Sequence, residues 1–256
     1  MLEIKRSKSK ISGRLTKKIV QNTLVTELAW EACNQVGGIY TVLRSKVPTM
    51  VQKYGNNYCL VGPYIESSVA TEFEEVRDAN DPFAKAVAKM REMGYDAHYG
   101  KWLVTGRPNI VLLNPFSVFD RLGDIKYNLW EHHHIETPDE DLINKVVAFG
   151  FLNFIFLQTL ASKKGKDKYL IAHFHEWMAG THIPDLRKND VPLSITFTTH
   201  ATMLGRYLAM NDPEFYNHLP FFDWLQEAQN FNIEAQVKIE RAAAHGAHVF
   251  TTVSEV

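Results

Sequence analysis

The sequence predicts an α/β domain whose sheet is mostly parallel. Apolar runs of strand length alternate with longer segments of helical period. No internal repeat or low-complexity linker interrupts that alternation. Size agrees, since 256 residues with 45% hydrophobic content can bury one large core or two small ones.

The elements follow in order. Residues 24–30 form the first expected strand, 38–54 the first helix and 58–61 the second strand, closed by Gly62 and Pro63. Residues 71–76 are a weaker strand candidate. A helix is expected over 82–93, with Pro82 in the first turn where its missing N–H costs nothing. Residues 98–104 and 109–113 flank the turn signal GRPN, which predicts an antiparallel pair added to the main sheet. In the second half a long helix over 139–163 feeds a strand at 169–174, and a helix over 177–187 leads to a strand at 193–198. After a long irregular stretch, a helix over 233–245 delivers the last strand, 248–253. Helices of this length between short strands make right-handed crossovers, whose ligands lie beyond the carboxyl ends of the strands.

The run VVAFGFLNFIFLQTLA (146–161) is broken by Asn153 and Gln158 and falls short of the roughly 20 apolar residues a membrane span needs, so it is expected as a buried helix. No apolar signal core opens the chain, and Cys33 and Cys59 are too few for a disulfide framework; a cytoplasmic protein is expected. Residues 1–22 hold seven basic residues against Glu3, a net +6 that leaves −7 for the rest of a chain of net charge −1. That segment reads as a solvated, poorly ordered tail on a domain spanning 23–256. The acidic remainder, without another basic cluster, argues against a nucleic-acid or membrane partner.

Three segments at predicted strand ends carry chemistry. In NQVGG, Gly37 and Gly38 open a helix, where bare backbone would let an anion approach N–H donors at the positive end of the dipole; a tight turn explains the pair equally well. In AHFHEWMAG, alternation puts His173 and His175 on one strand face and Phe174 on the other. A closed zinc site would need further ligands that neither cysteine is placed to supply, so no metal and no other cofactor is expected. His173 reads as a hydrogen-bonded core residue, and Glu176 as a helix cap or a carboxylate for substrate hydroxyls. In TFTTHATMLGRYL, a β-branched strand ends on Thr199 and His200, and Arg206 offers a forked donor for phosphate. Polar groups at such a strand tip need partners, and a hydroxyl-rich sugar is a good one. The run His132–His134 lies in a polar, acidic connection and reads as a surface cluster.

Taken together, ELAWEACNQVGGIYTVLRSK, NNYCLVGPY, IAHFHEWMAG, FTTHATMLGRYL and IERAAAHGAHVFTTVS resemble, in order and spacing, the N-terminal half of glycogen synthases of the animal and fungal type. The resemblance implies the Rossmann-like, doubly wound N-terminal domain of a GT-B fold. It also implies a retaining transferase moving glucose from UDP-glucose to the 4-hydroxyl of a glycogen or α-1,4-glucan chain end. On that likeness Gly37 and Gly38 would lie near the donor's diphosphate and glucose, with His175 and Gln35 among the sugar-nucleotide contacts. Glu176 would shape the sugar site, His200 would sit beside the transferred glucose, and Arg206 would touch the sugar nucleotide. Relatives usually carry Lys or Arg where this chain has Gln35, so one charge-assisted contact, about twice as strong as a neutral one, would be missing. The family continues into a second, nucleotide-binding domain beyond the point matching Val256. On that ground the 256 residues alone are expected to be inactive, and any homo-oligomer to form through that other part. Two other functions fit less of the pattern: a catalytically dead α-glucan-binding module, with Tyr207, Phe221, Phe222 and Trp224 as stacking platforms, and a starch-type synthase using ADP-glucose.

Overall fold

The computed structural model describes residues 18–253. Most of the expected basic tail lies outside the described residues; 18–21 form a single helical turn leading into the sheet.

Eight strands make one sheet: β1 (Thr23–Ala29), β2 (Tyr58–Pro63), β3 (Phe73–Glu75), β4 (Ala97–Trp102), β5 (Asn109–Leu113), β6 (Tyr169–His175), β7 (Ser194–Thr199) and β8 (Val249–Thr252). Their spatial order is β3-β4-β5-β2-β1-β6-β7-β8. All neighbours run parallel except β3 with β4 and β4 with β5. The expected antiparallel pair across GRPN is therefore present, at one end of a parallel sheet. The chain builds outward from β1 toward β2 and β5, then returns to the other side of β1 with β6. A topological switch point between β1 and β6 follows, the place where sheets of this kind bind ligands beyond their carboxyl ends.

The helices are α1 (Gly38–Tyr54), α2 (Glu66–Glu72), α3 (Pro82–Glu92), α4 (Leu122–His133), α5 (Asp141–Lys163), α6 (Glu176–Gly180), α7 (Ile183–Lys188), α8 (Met203–Asn211), α9 (Phe215–His218), α10 (Trp224–Asn230) and α11 (Glu234–Gly246). They cover both faces, making the sheet doubly wound. On one face Leu24, Leu28, Val61, Phe174 and Phe197 pack with α3, α5, α6 and α11. On the other, Val25, Ala29, Leu60 and Leu112 pack with Tyr40, Leu43 and Val47 of α1. Period-2 alternation along β1 thus sends residues 24, 26 and 28 to one core and 25, 27 and 29 to the other.

Helix α5 passes a membrane span's test of length and composition, yet 67% of its most apolar window is buried inside the domain. It is the central core helix: Leu152, Phe156 and Leu160 are fully buried, each contributing about 1.5–3 kcal/mol through burial.

Several sequence expectations need correction. The helix expected over 177–187 is two helices, because Pro184 cannot sit in a helix interior and instead occupies the first turn of α7. The strand expected from residue 71 starts at Phe73, since α2 runs up to it. The stretch after β7 is not irregular: Thr202 caps α8 and Asp223 caps α10 through side-chain oxygens. Residues 122–133 are helical as well, so His132 and His133 end a helix, with His134 in the left-handed conformation that stops it.

Candidate active site

Strands β1, β6 and β7 are adjacent and in register, so the segments leaving their carboxyl ends meet on one rim. The pairs Ala29↔His175 and His175↔Thr198 fix that level. Glu176, the first residue of α6, holds φ +63, a left-handed backbone that costs a non-glycine residue about 1–3 kcal/mol. From there Oε1 accepts the His200 backbone N–H at 2.8 Å and the Arg206 Nη2 at 3.4 Å. The carboxylate after β6 is thereby tied to the loop after β7. Arg206 also donates through Nε to the Ala201 carbonyl at 3.0 Å, and it keeps 49% of its side chain exposed. The structure brings Glu176, His175, His200 and Arg206 together.

Behind the rim lies a carboxylate that the sequence motifs did not single out. Glu27 stands in the middle of β1, opposite His173 in the register, and is completely buried. Its Oε1 accepts from His175 Nε2 at 2.8 Å and from the Lys46 ammonium of α1, and its Oε2 accepts from the Tyr58 hydroxyl. His175 Nδ1 in turn meets His200 Nε2 at 3.0 Å. Four side chains therefore form an unbroken line, Lys46–Glu27–His175–His200, from α1 to the rim. His173 joins from the side, with Nδ1 3.6 Å from Glu27 and Nε2 2.7 Å from the Thr198 hydroxyl. A lone carboxylate within the apolar run TLVTELA was the available signal, since such a group is not buried without partners.

Glu240 was missed as well. It is buried on α11, and its two oxygens accept from the Thr199 hydroxyl and the Met203 N–H, both at 3.0 Å, clamping the loop that carries His200.

The electrostatics follow from burial and neighbours. Burial alone would raise the Glu27 carboxyl, but the hydrogen bond from His175 and the nearby Lys46 ammonium outweigh it and hold the group well below the usual carboxylate range. Burial lowers His173 to about 3, helped by His175 and opposed by Glu27. Burial, His175 and Arg206 lower His200 to about 4. Burial raises Glu176, against the hydrogen bond from His200 and the charge of Arg206. Burial also raises Glu240.

These shifts predict a pH-dependent stability. The unfolded chain binds protons at residues 173 and 200 once the pH drops below about 6.5, whereas the folded chain does so only near 3 and 4. Their contribution is complete above 6.5 and is lost as the pH falls from there toward 3. Raised Glu176 and Glu240 act with the opposite sign, but their shifts are smaller. The urea midpoint is expected to fall between pH 6.5 and 4.5, with a shallower slope in His173→Gln; a flat profile in the unmodified chain would refute this.

The two glycines have different surroundings. Gly37 keeps an extended backbone, and its N–H donates to the Glu31 carboxylate at 2.9 Å, which also accepts from Tyr40 N at 2.9 Å. A Cβ on Gly37 would lie 2.9 Å from Glu31 Oε1, whereas one on Gly38 would meet nothing within 4 Å. The positive end of α1 already holds an internal anion at Gly37, and Gly38 borders open space. Gln35 is exposed on the same loop. No described contact joins Gln35, Gly37 or Gly38 to Glu176 or His200; the fold sets them on neighbouring strand ends.

For a metal, Glu27, His173 and His175 offer ligand atoms within 4.8 Å of one another, with Lys46 bonded to the same carboxylate. Both cysteines are free and buried, and burial pushes the Cys33 thiol up to about 12, which leaves it unreactive.

The family model described as glycogen synthase matches residues 27–256. The chain is 41% identical over 238 residues to a glycogen [starch] synthase of Neurospora crassa and to the liver glycogen [starch] synthase of Homo sapiens, alignments that cover 93% of this chain and 34% of each relative. It spans about a third of the length of these relatives. Among solved structures, an alpha,alpha-trehalose 6-phosphate synthase from Burkholderia multivorans aligns over 91% of this chain and 47% of its own at 11% identity, with a TM-score of 0.34, a likeness too slight to carry an argument. On the family match and on two relatives aligned along almost its whole length, the chain belongs to the glycogen synthase family.

Proposed function

We propose that this chain is the sugar-holding part of a cytoplasmic retaining glucosyltransferase that moves glucose from UDP-glucose to the 4-hydroxyl at an α-1,4-glucan end. Membership of the family supports the reaction class. The observation that carries the site is the bond from His200 N–H to Glu176, which with Arg206 unites three functional groups from two strand ends. In this reading Glu176 accepts hydrogen bonds from glucose hydroxyls and His200 lies beside the transferred sugar. Arg206, half exposed, meets the phosphates. The diphosphate approaches α1 at Gly38 rather than at Gly37, whose N–H belongs to Glu31.

Retaining transfer builds positive charge on the sugar and negative charge on the departing diphosphate, so cations must be in place where the latter develops. Among the described residues at this rim, Arg206 is available for that role, while Lys46 is committed to Glu27.

The test is an NMR titration of UDP-glucose into the chain, following the Arg206 side chain. Saturable shifts are expected, with affinity about tenfold weaker in His200→Ala, the loss of a hydrogen bond worth roughly 1.4 kcal/mol. The absence of any shift would overturn the proposal. So would glycogen co-sedimentation indifferent to nucleotide and retained in His200→Ala, which points to a dead glucan-binding module instead.

A further inference from the structure

The geometry points to Glu27 as the positioning residue for His200: through His175 it fixes His200 as the tautomer that carries its proton on Nε2 and leaves Nδ1 a bare acceptor. The derivation is one of hydrogen-bond direction. A carboxylate can only accept, so His175 Nε2, 2.8 Å from Glu27 Oε1, must carry the proton and donate. In a neutral imidazole the other nitrogen is then an acceptor. His175 Nδ1 lies 3.0 Å from His200 Nε2, so His200 must donate there. Neutral His200 is left with an unprotonated Nδ1, for which the described residues provide no hydrogen-bond partner.

Lys46 and Tyr58 make the first link dependable. The ammonium and the hydroxyl both donate to Glu27, favouring the ionised carboxylate on which the sequence of donors depends. Their arrival from α1 and β2 fixes the carboxylate from two elements outside its own strand. Lys46 also supplies the positive charge that a metal would bring to Glu27, His173 and His175, so the trio has its cation within the chain. His173 directs Nε2 to Thr198 and stays off the line. The groups facing His200 are His175 and, through its backbone N–H, Glu176; Arg206 lies on the same Glu176 oxygen.

The inference deepens the proposed function, because a bare Nδ1 is what would accept a proton-bearing hydroxyl of a sugar. It does not need a sugar to be tested. Histidine 15N labelling of the full 256-residue chain, read through two-bond 1H–15N correlations at pH 7, reports each tautomer directly. Both His175 and His200 are expected to show a single neutral pattern protonated at Nε2. In Glu27→Gln, whose amide can donate as well as accept, both residues are expected to lose that single pattern, while His133, bonded to Asp185 across the domain, keeps its own. A merely structural role for Glu27 would leave the tautomers of a folded variant unchanged, and that outcome overturns the inference.

If Glu27→Gln fails to fold, the unmodified chain still decides, since His200 protonated at Nδ1 refutes the proposal. Stoichiometric binding of Zn2+ that shifts His173 and His175 would also refute it, by showing that Lys46 is not the resident cation. Because no sugar nucleotide is present, failure here is separable from failure of the UDP-glucose titration.

Discussion

Glu27→Ala is expected to cost about 3–5 kcal/mol of folding stability, the range for breaking a buried charge cluster by removing one partner. The acid has no solvent exposure, and its loss strands three donors at once: Lys46, His175 and Tyr58. Lys46 keeps about a third of its side chain exposed and can turn to water, so it adds little to the loss. Tyr58 and His175 cannot, being 1% and 3% exposed, and each orphaned polar group costs about 1–3 kcal/mol. A cavity in the second core adds to that. Glu27→Gln should lose roughly half as much, because the amide keeps the volume and one acceptor. Urea unfolding followed by far-ultraviolet circular dichroism gives both values; a loss under about 1 kcal/mol for Glu27→Ala would mean that the cluster is not a structural keystone.

Gly62→Ala is expected to destabilise the domain by about 3 kcal/mol and to displace the loop after β1. An added Cβ would overlap the carbonyl oxygen of Ala32 and lie 3.0 Å from the Ala32 Cβ. Relief by a side-chain rotation is impossible, since the obstacle is backbone. Overpacking of this kind usually costs 1–3 kcal/mol, and a clash with fixed main chain belongs at the upper end. The residues pushed aside include Glu31, so its bonds to Gly37 and Tyr40 should fail together. Thermal unfolding measures the first effect, and amide exchange at Tyr40 the second. An unchanged melting temperature would show that the loop has slack the packing does not reveal.

How much of this was legible beforehand depends on the kind of signal. Strand and helix alternation gave the parallel sheet because burial on both faces writes apolar runs into the sequence. Three of its strand ends carried polar residues that read as site candidates, and the structure places Glu176, His175, His200 and Arg206 together. Glu27 showed only as a lone carboxylate in an apolar run, because its partners come from α1, β2 and β6: strand register brings Tyr58 and His175 to it, and the packing of α1 brings Lys46. Glu31 lies close to Gly37 along the chain, but only the path of the loop turns its carboxylate back onto the N–H groups of Gly37 and Tyr40. Helices α8, α9 and α10 escaped because they are short, and the caps of α8 and α10, Thr202 and Asp223, resemble ordinary loop residues.

The left-handed backbone at Glu176 sets two demands of opposite kind on one position. Main-chain geometry there favours glycine, while the bonds to His200 and Arg206 require an acid. Glycine would relieve the torsion but release the His200 N–H and Arg206 that the carboxylate holds. A torsion relieved by glycine and a loop anchored by a carboxylate cannot be had together at this position, so any replacement of Glu176 trades one against the other.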